Sequence, residues 1–356
     1  MNLIGEHTDY NEGFVLPAAV DFVTYVAGAP RSDRRIRVAS LNFDHEFEFD
    51  LDDALQQTGK TWAKYVQGVG LILERLGYRL HGADLLIDSD VPIGAGLSSS
   101  AALEISTAFA LSTLSCHAIE GMELAKIGQT AEHEFAGVRS GIMDQFISVF
   151  GQANHAIFLD CRSLKWSPIP LSNAQFIICN TKTKHDLAES EYNKRRAECE
   201  SAASFLGYAS LRDVPLKEFE AGYVVMPEVL KKRARHIITE NARVLGSIEA
   251  LRKGDLTEFG RLINESHESL RDDFEVSSNE LDLMVSLARE QKTVLGARMT
   301  GGGFGGCTIN LMAPGDHHDF AERISRSYRA ETGIVPEIYK CEIAGGVCEL
   351  NNSDRG

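Results

Sequence analysis

The stretch Val91-Pro-Ile-Gly-Ala-Gly-Leu-Ser-Ser-Ser-Ala-Ala-Leu-Glu104 most limits how this chain can fold. Before it, Ala83-Asp-Leu-Leu-Ile-Asp88 is a short apolar run that reads as a strand. After it, Ala101 to Leu114 is rich in Ala, Leu, Ile and Phe with small residues leading, and predicts a largely buried helix. A glycine turn, Gly94 to Gly96, therefore delivers Ser98, Ser99 and Ser100 to the first turn of a helix. The free N–H groups and partial positive charge of a helix N-terminus suit phosphate, and glycine lets the backbone approach an anion closely. The loop is not of the Walker type, because no Gly-Lys-Ser/Thr follows the glycines. A serine-capped core helix after a tight turn fits the same residues.

The chain of 356 residues suffices for about two ordinary domains. Its net charge of −15 argues against nucleic acid or an anionic membrane as the main partner, while leaving room for a local phosphate pocket. No apolar run reaches the roughly 18 residues of a membrane span, and no signal peptide is expected. Seven scattered cysteines without a Cys-x-x-Cys pair suggest reduced thiols and a cytoplasmic setting.

Further polar groups cluster along the sequence. Gly5-Glu-His-Thr-Asp-Tyr-Asn-Glu-Gly13 sets Glu6, His7 and Asp9 in one loop between Leu3-Ile4 and Phe14-Val15-Leu16. Such a loop can present carboxylates and an imidazole to the hydroxyls of one small polar ligand; a solvated turn between two strands is the alternative. The spacing fits no common metal-ligand pattern. Trp62 to Leu76 carries a helical apolar stripe headed by Trp62 and Tyr65, an aromatic edge that could meet a base. Met122 to Phe135 predicts a helix stopped by Gly137. Asp144 falls in the first turn of the next helix, either as a dipole-stabilising carboxylate or as a partly buried base. Glu132, on the preceding helix, could bring a second carboxylate. The pattern changes at Pro168-Ile-Pro170, which sets an expected boundary between domains 1–170 and 171–356. In Met299-Thr-Gly-Gly-Gly-Phe-Gly-Gly-Cys-Thr-Ile-Asn-Leu-Met312, the glycines precede a strand-like alternation rather than a helix. They read as a loop whose main chain packs close to a ligand or to another loop, and not as a dinucleotide fingerprint. The element order favours α+β over a doubly wound sheet.

Taken together, these motifs resemble the galactokinases among the GHMP small-molecule kinases. Asn2 to Tyr10 is similar to their signature, Val91 to Glu104 to their phosphate loop, and Met299 to Met312 to their third motif. Ala131-Glu-His-Glu134, Gly141-Ile-Met-Asp-Gln145, Ser190-Glu-Tyr192 and Glu265 to Asp273 add to the likeness, which covers nearly the whole chain.

The resemblance implies an N-terminal domain like ribosomal protein S5 domain 2, a C-terminal ferredoxin-like α/β sandwich, and an active site in the cleft between them. It implies that Gly94, Ala95, Gly96, Leu97, Ser98, Ser99 and Ser100 cradle the phosphates of ATP, and that Ser100 and Glu132 hold Mg²⁺. Glu6, His7, Thr8, Asp9, Gly141 and Tyr192 would bind the sugar, and Asp144 would face its anomeric hydroxyl. Trp62 and Tyr65 resemble residues near the adenine pocket. The implied reaction is ATP-dependent phosphorylation of galactose at C1, by a monomer or weak homo-oligomer. N-acetylgalactosamine kinases share these motifs, and a non-catalytic galactose sensor is the rival of another class. The galactokinases carry Arg-Val immediately before Asn-Leu-Ile-Gly-Glu-His. Here Met1 holds the valine position, so the expectation is a natural protein extending upstream through an arginine and one further strand.

Overall fold

The computed structural model describes residues 1–43, 45–53, 62–184, 188–222, 225–315 and 317–350. The chain divides into two compact units, each discontinuous in sequence. One comprises Met1–Val20, Pro92–Ser98 and Asn154–Ile343; the other comprises Asp21–Val91, Ser99–Ala153 and Ala344–Gly356. The short strand β1 (Phe14–Val15) lies in the first of these.

The other unit opens with β2 (Thr24–Pro30), β3 (Arg35–Ser40) and β4 (His45–Asp50). Helix α1 (Ala63–Arg75), strand β5 (Ala83–Ser89), and helices α2 (Ser99–Leu114), α3 (Gly121–Ala131) and α4 (Met143–Phe150) come next. Its sheet runs β2-β5-β3-β4, with β3 and β5 parallel and the other pairs antiparallel. Strict alternation along β5 turns Ala83, Leu85 and Ile87 inward and Asp84, Leu86 and Asp88 outward. That inner row meets Val66, Val69, Ile72 and Leu73 of α1, Ile105, Ala108 and Leu111 of α2, and Leu124 and Ile127 of α3 in one core. Each large apolar side chain among them contributes about 1.5–3 kcal/mol by leaving water. Val69, Ile72 and Leu73 of the α1 stripe are buried as its spacing predicts, while Trp62 and Tyr65 at its head are half-buried and Leu76, past the helix end, is exposed. Helix α3 does not stop at a regular turn: it widens into one π-turn, Glu132–Ala136, closed by Gly137 in the left-handed region at φ 79°.

The first unit holds two sheets. Strands β6 (His155–Asp160) and β7 (Trp166–Pro170) join β1 in the order β1-β6-β7. The second sheet uses β8 (Gln175–Lys184), β9 (Val294–Met299), β10 (Gly305–Met312) and β11 (Glu337–Cys341), all antiparallel, in the order β11-β8-β10-β9. Five helices, α5 (Ala188–Phe205), α6 (Leu216–Gly222), α7 (Glu228–Lys253), α8 (Leu256–Ser269) and α9 (Asn279–Arg289), separate β8 from β9, and α10 (His318–Thr332) precedes β11. Cys307–Met312 lies in the strand that its alternation predicts, and every residue of β10 is buried. Its central place between β8 and β9 covers its edges, and α9 packs against it.

Pro168 and Pro170 do not mark the edge of a unit. They belong to β7, an edge strand, where a residue without an N–H is tolerated. Residues 154–170 therefore group with Met1–Val20 and with the long segment from Leu171 to Ile343, so the contacts divide the chain differently from a cut at 170.

Candidate active site

Helix α7 organises the first group of functional residues. His236, Glu240 and Asn241, spaced four and one apart, lie on one face and are 0%, 0% and 7% exposed. Glu240 Oε1 accepts from Gly5 N (2.9 Å) and Asn241 Oδ1 from Phe14 N (2.8 Å), so the helix grips both ends of the 5–14 loop. The ring of His236 lies 3.1 Å from Glu6 O through Nε2. Burial lowers the His236 pKa to about 4 despite the nearby Glu240 carboxylate, which leaves the imidazole neutral near pH 7.

Within the loop, the Thr8 hydroxyl lies 2.8 Å from Gly5 O and 2.7 Å from Phe14 O, so it closes the turn from inside. His7 sits in the left-handed region at φ 64° and is buried. Its Nδ1 meets Tyr10 Oη at 2.8 Å, and its ring centroid lies 5.3 Å from that of Tyr192 and 4.7 Å from that of Phe274. Burial, then the neighbouring His236, pushes its pKa well below the usual histidine value, so His7 is a neutral imidazole. Tyr192 also packs edge-on to Tyr10 at 5.2 Å. The structure thus brings Tyr192 of α5 to the signature loop. Asp9 is half-buried and caps Tyr10 N at 2.9 Å.

The glycine-rich segment 92–98 belongs to this same unit. Gly94, Gly96 and Ser98 all have positive φ, at 68°, 77° and 61°. The expected delivery of three serines to a helix start is adjusted accordingly: Ser98 is the strained residue before the helix, and only Ser99 and Ser100 enter α2. The third glycine motif packs against another loop, and that loop is this one. A Cβ on Gly96 would stand 2.8 Å from Thr300 O, and one on Gly306 would stand 2.8 Å from Ala95 O. Only glycine permits backbones to approach so closely.

The second group lies wholly in the other unit. Ser100 Oγ donates to Glu132 Oε1 at 3.1 Å, and Ser140 Oγ donates to Glu132 Oε2. Gln145 Nε2 donates both to Glu132 Oε2 (3.1 Å) and to Glu104 Oε2 (2.9 Å). Glu104 is fully buried one turn after Ser100, and burial followed by the Glu132 charge raises its pKa well above the usual carboxyl value, with Asp144 adding to the effect. Asp144 is half-buried in the first turn of α4, and Gly141 just before it is buried. Trp62 and Tyr65 open α1; Trp62 stacks on Phe43 at 5.4 Å and meets Phe47 edge-on at 5.1 Å, which makes it part of an aromatic cluster.

Among the described residues no cluster of three or more His, Cys, Asp or Glu is arranged to hold a metal by itself. The pair Ser100 and Glu132 offers one hydroxyl and one carboxylate, the small oxygen set that Mg²⁺ accepts when phosphate and water complete its shell. Sequence reading missed Glu104, Gln145, His236 and Glu240. The visible signal for Glu104 was a lone carboxyl in an apolar helix, one turn from the serines.

Three family models match the chain: the galactokinase galactose-binding signature at residues 1–30, the GHMP kinase N-terminal domain at 64–152 and the GHMP kinase C-terminal domain at 247–332. A galactokinase of Roseiflexus sp. is 44% identical, covering 100% of this chain and 92% of that protein. One from Chloroflexus aggregans is 46% identical over 98% of this chain and 90% of that protein. The crystal structure of Lactococcus lactis galactokinase complexed with galactose superposes with a TM-score of 0.94 at 40% identity, covering 98% of this chain and 92% of that one. Mevalonate kinase, at 21% identity and a TM-score of 0.63 over 97% of this chain and 96% of that one, shares the fold. Similarity of this depth along nearly the whole sequence leaves one assignment: the chain belongs to the galactokinases of the GHMP kinase family.

Proposed function

We propose that this sugar kinase transfers the γ-phosphoryl group of ATP to the C1 hydroxyl of galactose, giving α-D-galactose 1-phosphate and ADP. The observation that carries the reading is the match of its whole length to galactokinases, including the one solved with galactose. Phosphoryl transfer asks for positioning and charge neutralisation more than for covalent chemistry, and the residues supply both. The 94–100 backbone and its serine hydroxyls bind the phosphates. Ser100 and Glu132 hold Mg²⁺, which when bound neutralises charge on the phosphates. Asp144 accepts the C1 proton as the hydroxyl oxygen attacks phosphorus and the bond to ADP breaks. His7, Asp9, Gly141 and Tyr192 face the sugar; as a neutral imidazole, His7 can donate one hydrogen bond and accept another. No helix among the described residues is long and apolar enough to cross a membrane.

The test is ADP release with Mg²⁺ and a panel of sugars. Galactose should be turned over much faster than glucose or N-acetylgalactosamine. Equal rates on all three, or none on any, would refute the assignment.

A further inference from the structure

Gln145 of α4 is 1% exposed, and its side chain ends between two carboxylates of its own unit. Nε2 donates to Glu132 Oε2 at 3.1 Å and to Glu104 Oε2 at 2.9 Å, one acceptor for each of its two N–H groups. The buried Oε1 of the same amide has no partner among the described atoms. A leucine would leave no such oxygen unsatisfied, and a flipped amide would set that oxygen against two carboxylates. The side chain is therefore held there for its donors. Its stem is fitted closely as well: a Cβ on Gly128, one turn before Glu132, would stand 3.0 Å from Gln145 Cγ and 3.4 Å from Glu104 Cβ.

Glu132 is 7% exposed, and its two oxygens are used unequally. Oε2 accepts from both Ser140 Oγ and Gln145 Nε2, whereas Oε1 accepts only from Ser100 Oγ, at 3.1 Å. Each carboxylate oxygen offers two lone pairs, so Oε2 is filled and the open position lies on Oε1. Ser100 donates its one hydroxyl proton to Oε1 and keeps its own lone pairs. Two oxygens able to take a cation thus stand 3.1 Å apart. Neighbouring ligands of an octahedral Mg²⁺, with oxygens at about 2.1 Å, are about 3.0 Å apart.

We propose that Gln145 is a positioning residue for the cation site: by engaging Glu132 Oε2, it leaves Oε1 and Ser100 Oγ as the pair that takes Mg²⁺. The proposal rests on the reading of Ser100 and Glu132 as the Mg²⁺ ligands. It gives two neighbours in one helical turn separate tasks, Asp144 the C1 proton and Gln145 the aim of the metal-binding carboxylate.

Gln145→Leu and Ser140→Ala in the full chain test it, with Glu132→Gln as the reference. Each of the first two removes one donor to Oε2. Ser140 is half-buried and outside the helices, so its variant serves even where Gln145→Leu folds poorly. Mn²⁺ stands in for Mg²⁺, and the electron paramagnetic resonance signal of free Mn²⁺ gives its Kd for the protein saturated with the non-hydrolysable ATP analogue AMP-PNP. Calorimetry gives the Kd for AMP-PNP in EDTA and the Kd for galactose. Loss of a group that orients a metal ligand commonly weakens metal binding 10–100-fold, so Gln145→Leu should raise the Mn²⁺ Kd about 10-fold or more. Ser140→Ala, which loses one hydrogen bond, should raise it about 3–10-fold. Affinities for metal-free AMP-PNP and for galactose should stay within about twofold, a split that general loosening of the fold does not produce. Unchanged Mn²⁺ affinity in both variants would overturn the proposal, as would equal losses for metal-free nucleotide and for Mn²⁺. A fallen kcat with unchanged Mn²⁺ affinity in Gln145→Leu would make Gln145 a support of α4 and Asp144, and would overturn it too. A Glu132→Gln protein that keeps wild-type Mn²⁺ affinity would overturn the cation reading itself, an outcome distinct from the other two variants matching a wild type that depends on Glu132.

Discussion

Glu104→Gln should remove a pH dependence that a single buried acid imposes on the α1–α4 unit. Glu104 is fully buried in α2, its Oε1 has no hydrogen-bond partner among the described atoms, and burial with two nearby carboxylates raises its pKa well above 4.5. The folded protein therefore holds a proton on Glu104 that the unfolded chain releases above about pH 4.5. The stability contributed by that proton is complete below the unfolded-chain pKa and is lost as pH rises toward the folded one. Each pH unit in that window costs the wild type about 1.4 kcal/mol that the glutamine variant does not lose. As pH rises through that window, the gap between the two proteins should widen in favour of the variant. Glutamine has the shape of the neutral acid and can still accept from Gln145 Nε2. The chain has two tryptophans, and Trp62 lies in this unit while Trp166 lies in the other, so urea unfolding of a Trp166→Phe background reports on the relevant core. The protein should be free of nucleotide and Mg²⁺. A stability gap that stays constant from pH 5.5 to 7.5, or one that narrows, would show that Glu104 is ionised in the folded state and refute the reasoning.

Asp144→Asn should lower kcat by about 10²-fold or more while galactose still binds, as read by calorimetry beside turnover; a variant keeping most of its kcat would make Asp144 an orienting group. His236 has the opposite sign to Glu104: with its folded pKa near 4, stability should fall as pH drops from 6.5 toward 4, by about 3 kcal/mol in all, and His236→Asn should flatten that slope in Trp166 fluorescence. Arg298→Met should destabilise the unit containing Trp166 by about 3–5 kcal/mol, because it leaves the Glu6 carboxylate buried without its counter-charge. Adding Glu6→Gln to that variant should return part of the loss, and strict additivity of the two changes would count against the pair.

Signals that are local in sequence were the legible ones. The strand at Ala83, the glycine turn and the helix after it are set by residues within about twenty positions, and each is found in place. Gly137 was readable as a stop, although the π-turn that it closes was not. The prolines at 168 and 170 lie within a strand that the sequence did not announce, because their tolerance depends on which strand lies beside them, and β7 has a neighbour on one side only. Arg298 gave no signal at all. Its partner Glu6 lies 292 residues away, and a buried arginine looks like a surface one until the partner is known. The 5–14 loop was readable as a cluster of polar types, but which of them turn inward is decided by α7, whose Glu240 and Asn241 anchor the loop from 235 and 227 residues downstream.

The discontinuity of the first unit also bears on how the protein is made. Residues Met1–Val20 must join a unit whose last segment ends at Ile343, and Val20 bridges Ile343 itself. On a ribosome adding about 5–20 residues per second, these first residues wait roughly 20–60 s for their partners. Throughout that interval Leu3, Ile4, Val15 and Leu16, all fully buried in the finished fold, are exposed on the nascent chain. The buried members of the core shared by α1, α2 and α3 instead lie between Ile36 and Ala131, so all of them are synthesised early in translation. The emerging polypeptide thus assembles its middle first and its beginning near the end, and a fragment cut at residue 170 would carry β1, β6 and β7 without the α7 helix on which β1 and β7 pack.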